Sequence, residues 1–288
     1  MNNHAENGRT AQQAPLACDV LSRDIEVAGA EGPLPARLHV AGAPAGKRDT
    51  LVVFFHGGGF VGGAVDEADE FLRQLVNADH GQVALSAGYT LASVKPFPAA
   101  VEDAHAVLAW AKKNKARLAW NGKRLVVAGI EAGANLAAVV SLMARDRGGP
   151  ALAGQVLVMP MLDPGLSTCS MRDMPACVER ATVADDVART CASGYRAYLP
   201  NAADRTHPYA SPLQSSRLKN LPPALILSAD DDPLRDEAEQ YAAKLIRAGI
   251  PTTVKRLPPP PLDQPEGRND CACGFALAEV AAFFHAIS

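Results

Sequence analysis

This sequence of 288 residues is short of the features that mark the special classes of protein. Aromatic residues make up only 5% of it, and none interleave with basic ones. Lysine plus arginine (28) nearly balances aspartate plus glutamate (31), for a formal net charge of −3. With no basic cluster, a nucleic-acid partner is excluded from expectation. No apolar run reaches the roughly 20 residues of a membrane span, so no membrane partner is expected. The longest run, Ala132 to Met143, contains Asn135 and reads as a buried helix. The six cysteines, Cys18, Cys169, Cys177, Cys191, Cys271 and Cys273, contain no C-x-x-C pair and have no histidine pair beside them. Neither a disulfide framework nor a metal centre is expected, and no cofactor is called for. The start, MNNHAENGRTAQQAP, has no charged-then-apolar leader pattern. The expected compartment is the cytoplasm.

Internal repeats and long linkers are missing too. What is present is an alternation of short apolar runs with longer helical segments. Residues 22–28 and 34–41 read as a hairpin, and strands follow at 51–55, 82–86, 124–128, 154–158, 224–228 and 252–257. Helices are expected at 67–79, 99–114, 132–146, 233–248 and 275–287. Such alternation predicts an α/β fold, a mostly parallel central sheet with helices on both faces. The chain reads as one domain, 1–288. Residues 1–21 form a loose arm or part of a cap, and 163–206 a cap insertion of irregular structure with one or two helices. The proline tract at 258–272 forms an exposed loop.

Ligands of open parallel sheets bind at the carboxyl ends of the strands, and two motifs fall there. One is His56-Gly57-Gly58-Gly59-Phe60, directly after the strand 51–55. The other is Gly129-Ile130-Glu131-Ala132-Gly133, between strand 124–128 and helix 132–146. The second has the frame of a nucleophile elbow, G-x-S-x-G, whose sharp strand-to-helix turn lifts a serine into an active site. Here the tip is a glutamate.

Together with Pro96-Phe-Pro-Ala-Ala-Val-Glu-Asp103, Pro208-Tyr-Ala-Ser-Pro-Leu213 and Asp232-Pro-Leu-Arg-Asp236, these motifs resemble the bacterial hormone-sensitive-lipase-like esterases, which are α/β-hydrolases. The resemblance runs in unbroken order over about residues 25–287. It implies an oxyanion hole from the backbone N–H groups of Gly57, Gly58 and Ala132, with Asp232 as the acid of a triad. His56, Gly59, Phe60 and Phe275 are implied to line the pocket. The triad positions are then Glu131, Asp232 and Cys273, because the family's serine and histidine are replaced by Glu131 and Cys273. Gly88-Tyr89-Thr90 also stands where the family has Asp-Tyr-Arg. Among the seven histidines, only His207, before the Pro-Tyr-Ala-Ser-Pro-Leu loop, is a further candidate base near the cap.

Four roles are open to Glu131. It can fold into the oxyanion hole and fill it, since N–H groups and a helix amino terminus favour a carboxylate. It can be a nucleophile, as the aspartate is in dehalogenases and epoxide hydrolases similar to this fold, but Cys273 supplies no base to release the ester. Cys273 can be the nucleophile instead, although nearby carboxylates disfavour its thiolate. Or Glu131 can act as a general base on water. The favoured expectation is a pseudo-hydrolase that keeps the pocket and binds a small molecule or a partner protein. The plant gibberellin receptor, similar to this family, is the precedent. The alternative is an active hydrolase of small carboxylic or acyl esters using Glu131, Asp232 and Cys273. A third reading is an interaction subunit, and the resemblance implies a homodimer through residues 250–287.

Overall fold

The computed structural model describes residues 19–42, 48–79, 81–173, 181–258 and 268–287, without the side chains of 181–183 and 268–275. Eight strands form one sheet in the order β1-β2-β4-β3-β5-β6-β7-β8. They are β1 (Val20–Ala28), β2 (Pro33–Ala41), β3 (Thr50–Phe55), β4 (Gln82–Ala87), β5 (Arg124–Ile130), β6 (Gly154–Val158), β7 (Ala224–Ala229) and β8 (Thr252–Leu257). β1 and β2 join as an antiparallel hairpin on the edge, and β2 runs antiparallel to β4. All the remaining pairings are parallel. The α/β fold expected from the alternation is therefore present.

Every residue of β3, β4 and β7 is buried. A parallel strand covered by helices on both faces needs such a continuous apolar run. Phe54 and Phe55 divide the two faces between them, each belonging to a different apolar cluster. On the Phe54 side lie α1 (Asp69–Ala78) and α7 (Arg268–Ala286). On the Phe55 side lie α2 (Ala99–Lys113), α3 (Ala132–Asp146) and α6 (Arg235–Arg247). Between β6 and β7 stand α4 (Cys169–Asp173) and α5 (Ala181–Tyr198), then two short 3-10 turns. Among the described residues no helix is long and apolar enough to cross a membrane.

Two expected boundaries are corrected. α7 begins at Arg268 rather than 275, so residues 268–272 are helical and not loop. Gly274 lies inside that helix; an interior glycine costs about 1 kcal/mol, too little to stop a long helix with an apolar face on the core. At the other end β1 starts at Val20, which takes Val20 and Leu21 out of the loose arm. Residues 1–18 and 259–267 lie outside the described residues.

His39 of β2 gives the fold a measurable pH dependence. Its ring is fully buried, Nδ1 is hydrogen-bonded to Ser22 Oγ at 2.9 Å, and Nε2 stands 3.4 Å from Asp69 on α1. Burial lowers its pKa from 6.5 to about 4, helped by the charges of Arg37 and Arg73 and opposed by Asp24. Between those values the unfolded chain binds the proton and the folded chain does not. This contribution to stability is thus complete above pH 6.5 and disappears as pH falls towards 4, about 3 kcal/mol in all. Denaturant unfolding of the native protein and His39→Asn across that window is expected to show the extra slope in the native protein alone.

Candidate active site

The site starts from two neighbouring strands. β3 and β5 are paired in parallel, with Phe55 opposite Gly129, so the segments that leave their carboxyl ends emerge side by side. After β3 the chain turns through Gly58, Gly59 and Phe60, at φ of 90°, 60° and 67°. Glycine adopts such angles at no steric cost. Phe60 adopts one while fully buried, its ring stacked on Tyr198 of α5 at 3.8 Å between centroids. α5 presses directly on this loop: a Cβ on Gly194 would lie 2.2 Å from the Gly59 carbonyl oxygen.

After β5 the chain reverses within one residue. Glu131 has φ 51° and ψ −113°, a sparsely populated region that costs about 1–3 kcal/mol for a residue with a side chain. The surrounding backbone holds it there. Its N–H donates to Val158 O (3.0 Å), and its carbonyl accepts from the N–H groups of Asn135 and Met161 (3.1 Å each). The segment carrying Met161 is fixed in turn by the buried Glu237 carboxyl group, whose Oε2 accepts the N–H groups of Leu162 and Asp163. Burial pushes Glu237 well above the ordinary carboxyl range.

The turn delivers the Glu131 side chain to the glycine loop. Gly58 N–H donates to its Oε2 at 3.3 Å, and a Cβ on Gly57 would lie 3.1 Å from the same oxygen. Ala132 opens α3, whose first N–H groups have no intrahelical partners. Below the loop, His56 is buried and its Nδ1 lies 2.9 Å from Gly57 O. A carbonyl only accepts, so Nδ1 carries the proton and Nε2 does not. Burial lowers the His56 pKa, which favours that neutral ring. Tyr89 stacks on it at 4.4 Å and donates its hydroxyl to both His56 O and Gly57 O at 3.1 Å. Burial first, then the nearby charges of Glu131 and Glu67, holds the Tyr89 hydroxyl well above its usual pKa and so protonated.

His56, Gly57, Gly58, Gly59, Phe60, Glu131 and Ala132 are therefore assembled in one place. Asp232 follows β7, two strands from β5 in the sheet. It is buried, and its Oδ1 accepts the Leu234 N–H at 2.9 Å just ahead of α6. Cys273 and Phe275 belong to α7, but their side chains are outside the described residues. His207 is exposed, and its Nδ1 accepts the Tyr209 N–H.

Three contributors had no reading from the residues alone: Tyr89 beneath the loop, Gly194 above it, and Glu67. Burial, with smaller pushes from Asp66 and Glu131, raises the Glu67 carboxyl above its ordinary value. Only Tyr89 left a trace, since it sits in the Gly-Tyr-Thr segment that departs from the family pattern.

Comparison with known proteins agrees with this architecture. A family model described as an alpha/beta hydrolase fold matches residues 52–260. Esterase LipI of Mycobacterium tuberculosis is 34% identical over 250 residues, 85% of this chain and 75% of its own. An arylesterase of Saccharolobus solfataricus is 34% identical over 237 residues, 82% of this chain and 74% of its own. Among solved structures, an esterase from Pyrobaculum calidifontis superposes with a TM-score of 0.80 at 37% identity, over 93% of this chain and 87% of that one.

Proposed function

The chain belongs to the α/β-hydrolase family, alongside the esterases it is similar to, and from that premise we propose that it is a disarmed esterase whose former ester pocket binds a small molecule. One observation carries the reading: Glu131 Oε2 lies 3.3 Å from the Gly58 nitrogen, one of the donors that the family resemblance assigns to an ester's oxygen.

The reasoning is electrostatic. Acyl transfer builds negative charge on the carbonyl oxygen, and N–H donors aimed at it often supply the largest catalytic term. A carboxylate already at those donors competes for them and repels the charge. At about 4 Å separation and an effective dielectric near 20, two like charges repel by about 4 kcal/mol. That is roughly a thousandfold in rate. Cysteine at 273 offers no histidine-like base to release a covalent intermediate on Glu131. The same field suits a ligand that is cationic or rich in hydrogen-bond donors.

A second reading, an active hydrolase of small acyl esters through Glu131, Asp232 and Cys273, is favoured by the esterase names of the relatives. One assay separates the two. The purified protein is expected to hydrolyse p-nitrophenyl acetate no faster than the spontaneous reaction. Small alkylamines are expected to raise its melting temperature, and Glu131→Gln to cancel that rise. Clear turnover by the native protein, abolished by Glu131→Ala, would establish the second reading.

A further inference from the structure

A cavity lies at the end of α3 away from the glycine loop. The helix spans Ala132–Asp146, so its two ends are about 20 Å apart at 1.5 Å per residue. It is a half-open cleft of about 260 Å³ between the last turn of α3 and the loop 207–217. Leu142, Pro208 and Tyr209 give it an apolar wall, and His207, Ser216 and Arg217 bring polar groups to it.

Its charges are unequally committed. Asp146 is occupied: Oδ1 accepts Arg145 Nε at 2.9 Å with Arg145 Nη2 at 2.8 Å, and Oδ2 accepts the Tyr209 hydroxyl at 3.0 Å. Arg145 is held as well, since its Nη1 donates to the carbonyls of Arg217 and Lys219 at 2.6 and 3.0 Å. Arg217 is different. Its side chain is 83% exposed, and its recorded carboxylate neighbour, Asp146, is 4.0 Å away. The carbonyls ending α3 would repel an anion, but Met143 O and Ala144 O accept N–H groups from Arg147 and Gly149 at 2.8 Å. His207 adds a donor: because Nδ1 accepts from Tyr209, the proton of the neutral ring is on Nε2.

We propose that this cavity is a binding site for a small carboxylate with a flat apolar body, its charge on Arg217 and its body against Leu142, Pro208 and Tyr209. A Lys would offer a point charge, whereas the Arg217 guanidinium meets a carboxylate with two parallel N–H groups. A volume of about 260 Å³ suits a ligand the size of a single substituted ring. The ligand charge is opposite to that proposed at Glu131, so a ligand of either site is not expected to compete at the other.

Benzoate is the probe, followed by ligand-observed NMR titration of the full chain, with benzamide and benzylamine as uncharged and cationic counterparts. Saturable binding is expected for benzoate and none for benzylamine. Arg217→Gln is expected to weaken benzoate about tenfold, a loss of about 1.4 kcal/mol, and Ser216→Trp to abolish binding by filling the mouth. Both positions are exposed, and an unchanged melting temperature verifies that the variants fold. No saturable binding, equal affinity for benzamide, or benzoate affinity unmoved by both substitutions overturns the proposal.

Discussion

Gly133→Ala is expected to destabilise the protein by more than about 4 kcal/mol, a loss reserved for a few severe mechanisms. A Cβ at Gly133 would lie 2.0 Å from Phe55 O and 2.4 Å from His56 O. Both are backbone atoms at the end of β3, so no flexible side chain can swing away. Gly129 faces the same constraint from the other side, since its Cβ would lie 2.3 Å from the Gly133 carbonyl. Relief requires α3 to move away from β3 and β5 together, opening the buried core between them. Thermal unfolding should therefore start more than roughly 8 °C lower. Gly32→Ala is the control: nothing stands within 4 Å of a Cβ there, and its effect should stay within about 0.5 kcal/mol. If Gly133→Ala cost no more than the control, the close approach of α3 to β3 would be wrong. The glycines of the elbow frame thus have a packing role independent of catalysis.

The same packing explains what was legible in the residues alone. α3 was expected at 132–146 and spans Ala132–Asp146, because the glycine frame marks its start and a charged Arg-Asp-Arg its end. β3 and β7 were legible as continuous apolar runs. Local signals of this kind carry their own boundaries. The start of α7 was not legible because the proline tract reads as a loop, while the apolar face that keeps the helix, with Val280 and Phe283 buried, lies further along. In the site, the meeting of the glycine loop with Glu131 follows from two strand ends and was open to reasoning from the sequence. Tyr89 under His56 and Gly194 against Gly59 were not. These contacts join residues 33 and more than 100 positions apart, and only the tertiary fold brings them together. The side chain of Cys273 was assigned from a motif alone.

Cys273 is decisive for the last expectation. The double change Glu131→Ser with Cys273→His is expected to raise p-nitrophenyl acetate hydrolysis by at least on the order of 10³ over the native protein, and clearly more than either change alone. The asymmetry follows from how a triad works. Glu131→Ser removes the charge from the Gly58 N–H and provides a hydroxyl, but without a base the hydroxyl keeps its proton. Cys273→His provides the base but leaves the carboxylate among the donors. Only together do they give a nucleophile that can be deprotonated, with Asp232 in the orienting role, and the loop N–H groups in the oxyanion role, that the resemblance implies. Circular dichroism and melting temperature establish that each variant folds. A folded double variant as inert as the single ones would mean that position 273, helical in α7, does not reach the elbow. The disarmed site would then differ from an esterase in its backbone as well as in two side chains. A gain near 10³ would instead mean that the scaffold is intact and that two residues separate this chain from ester hydrolysis.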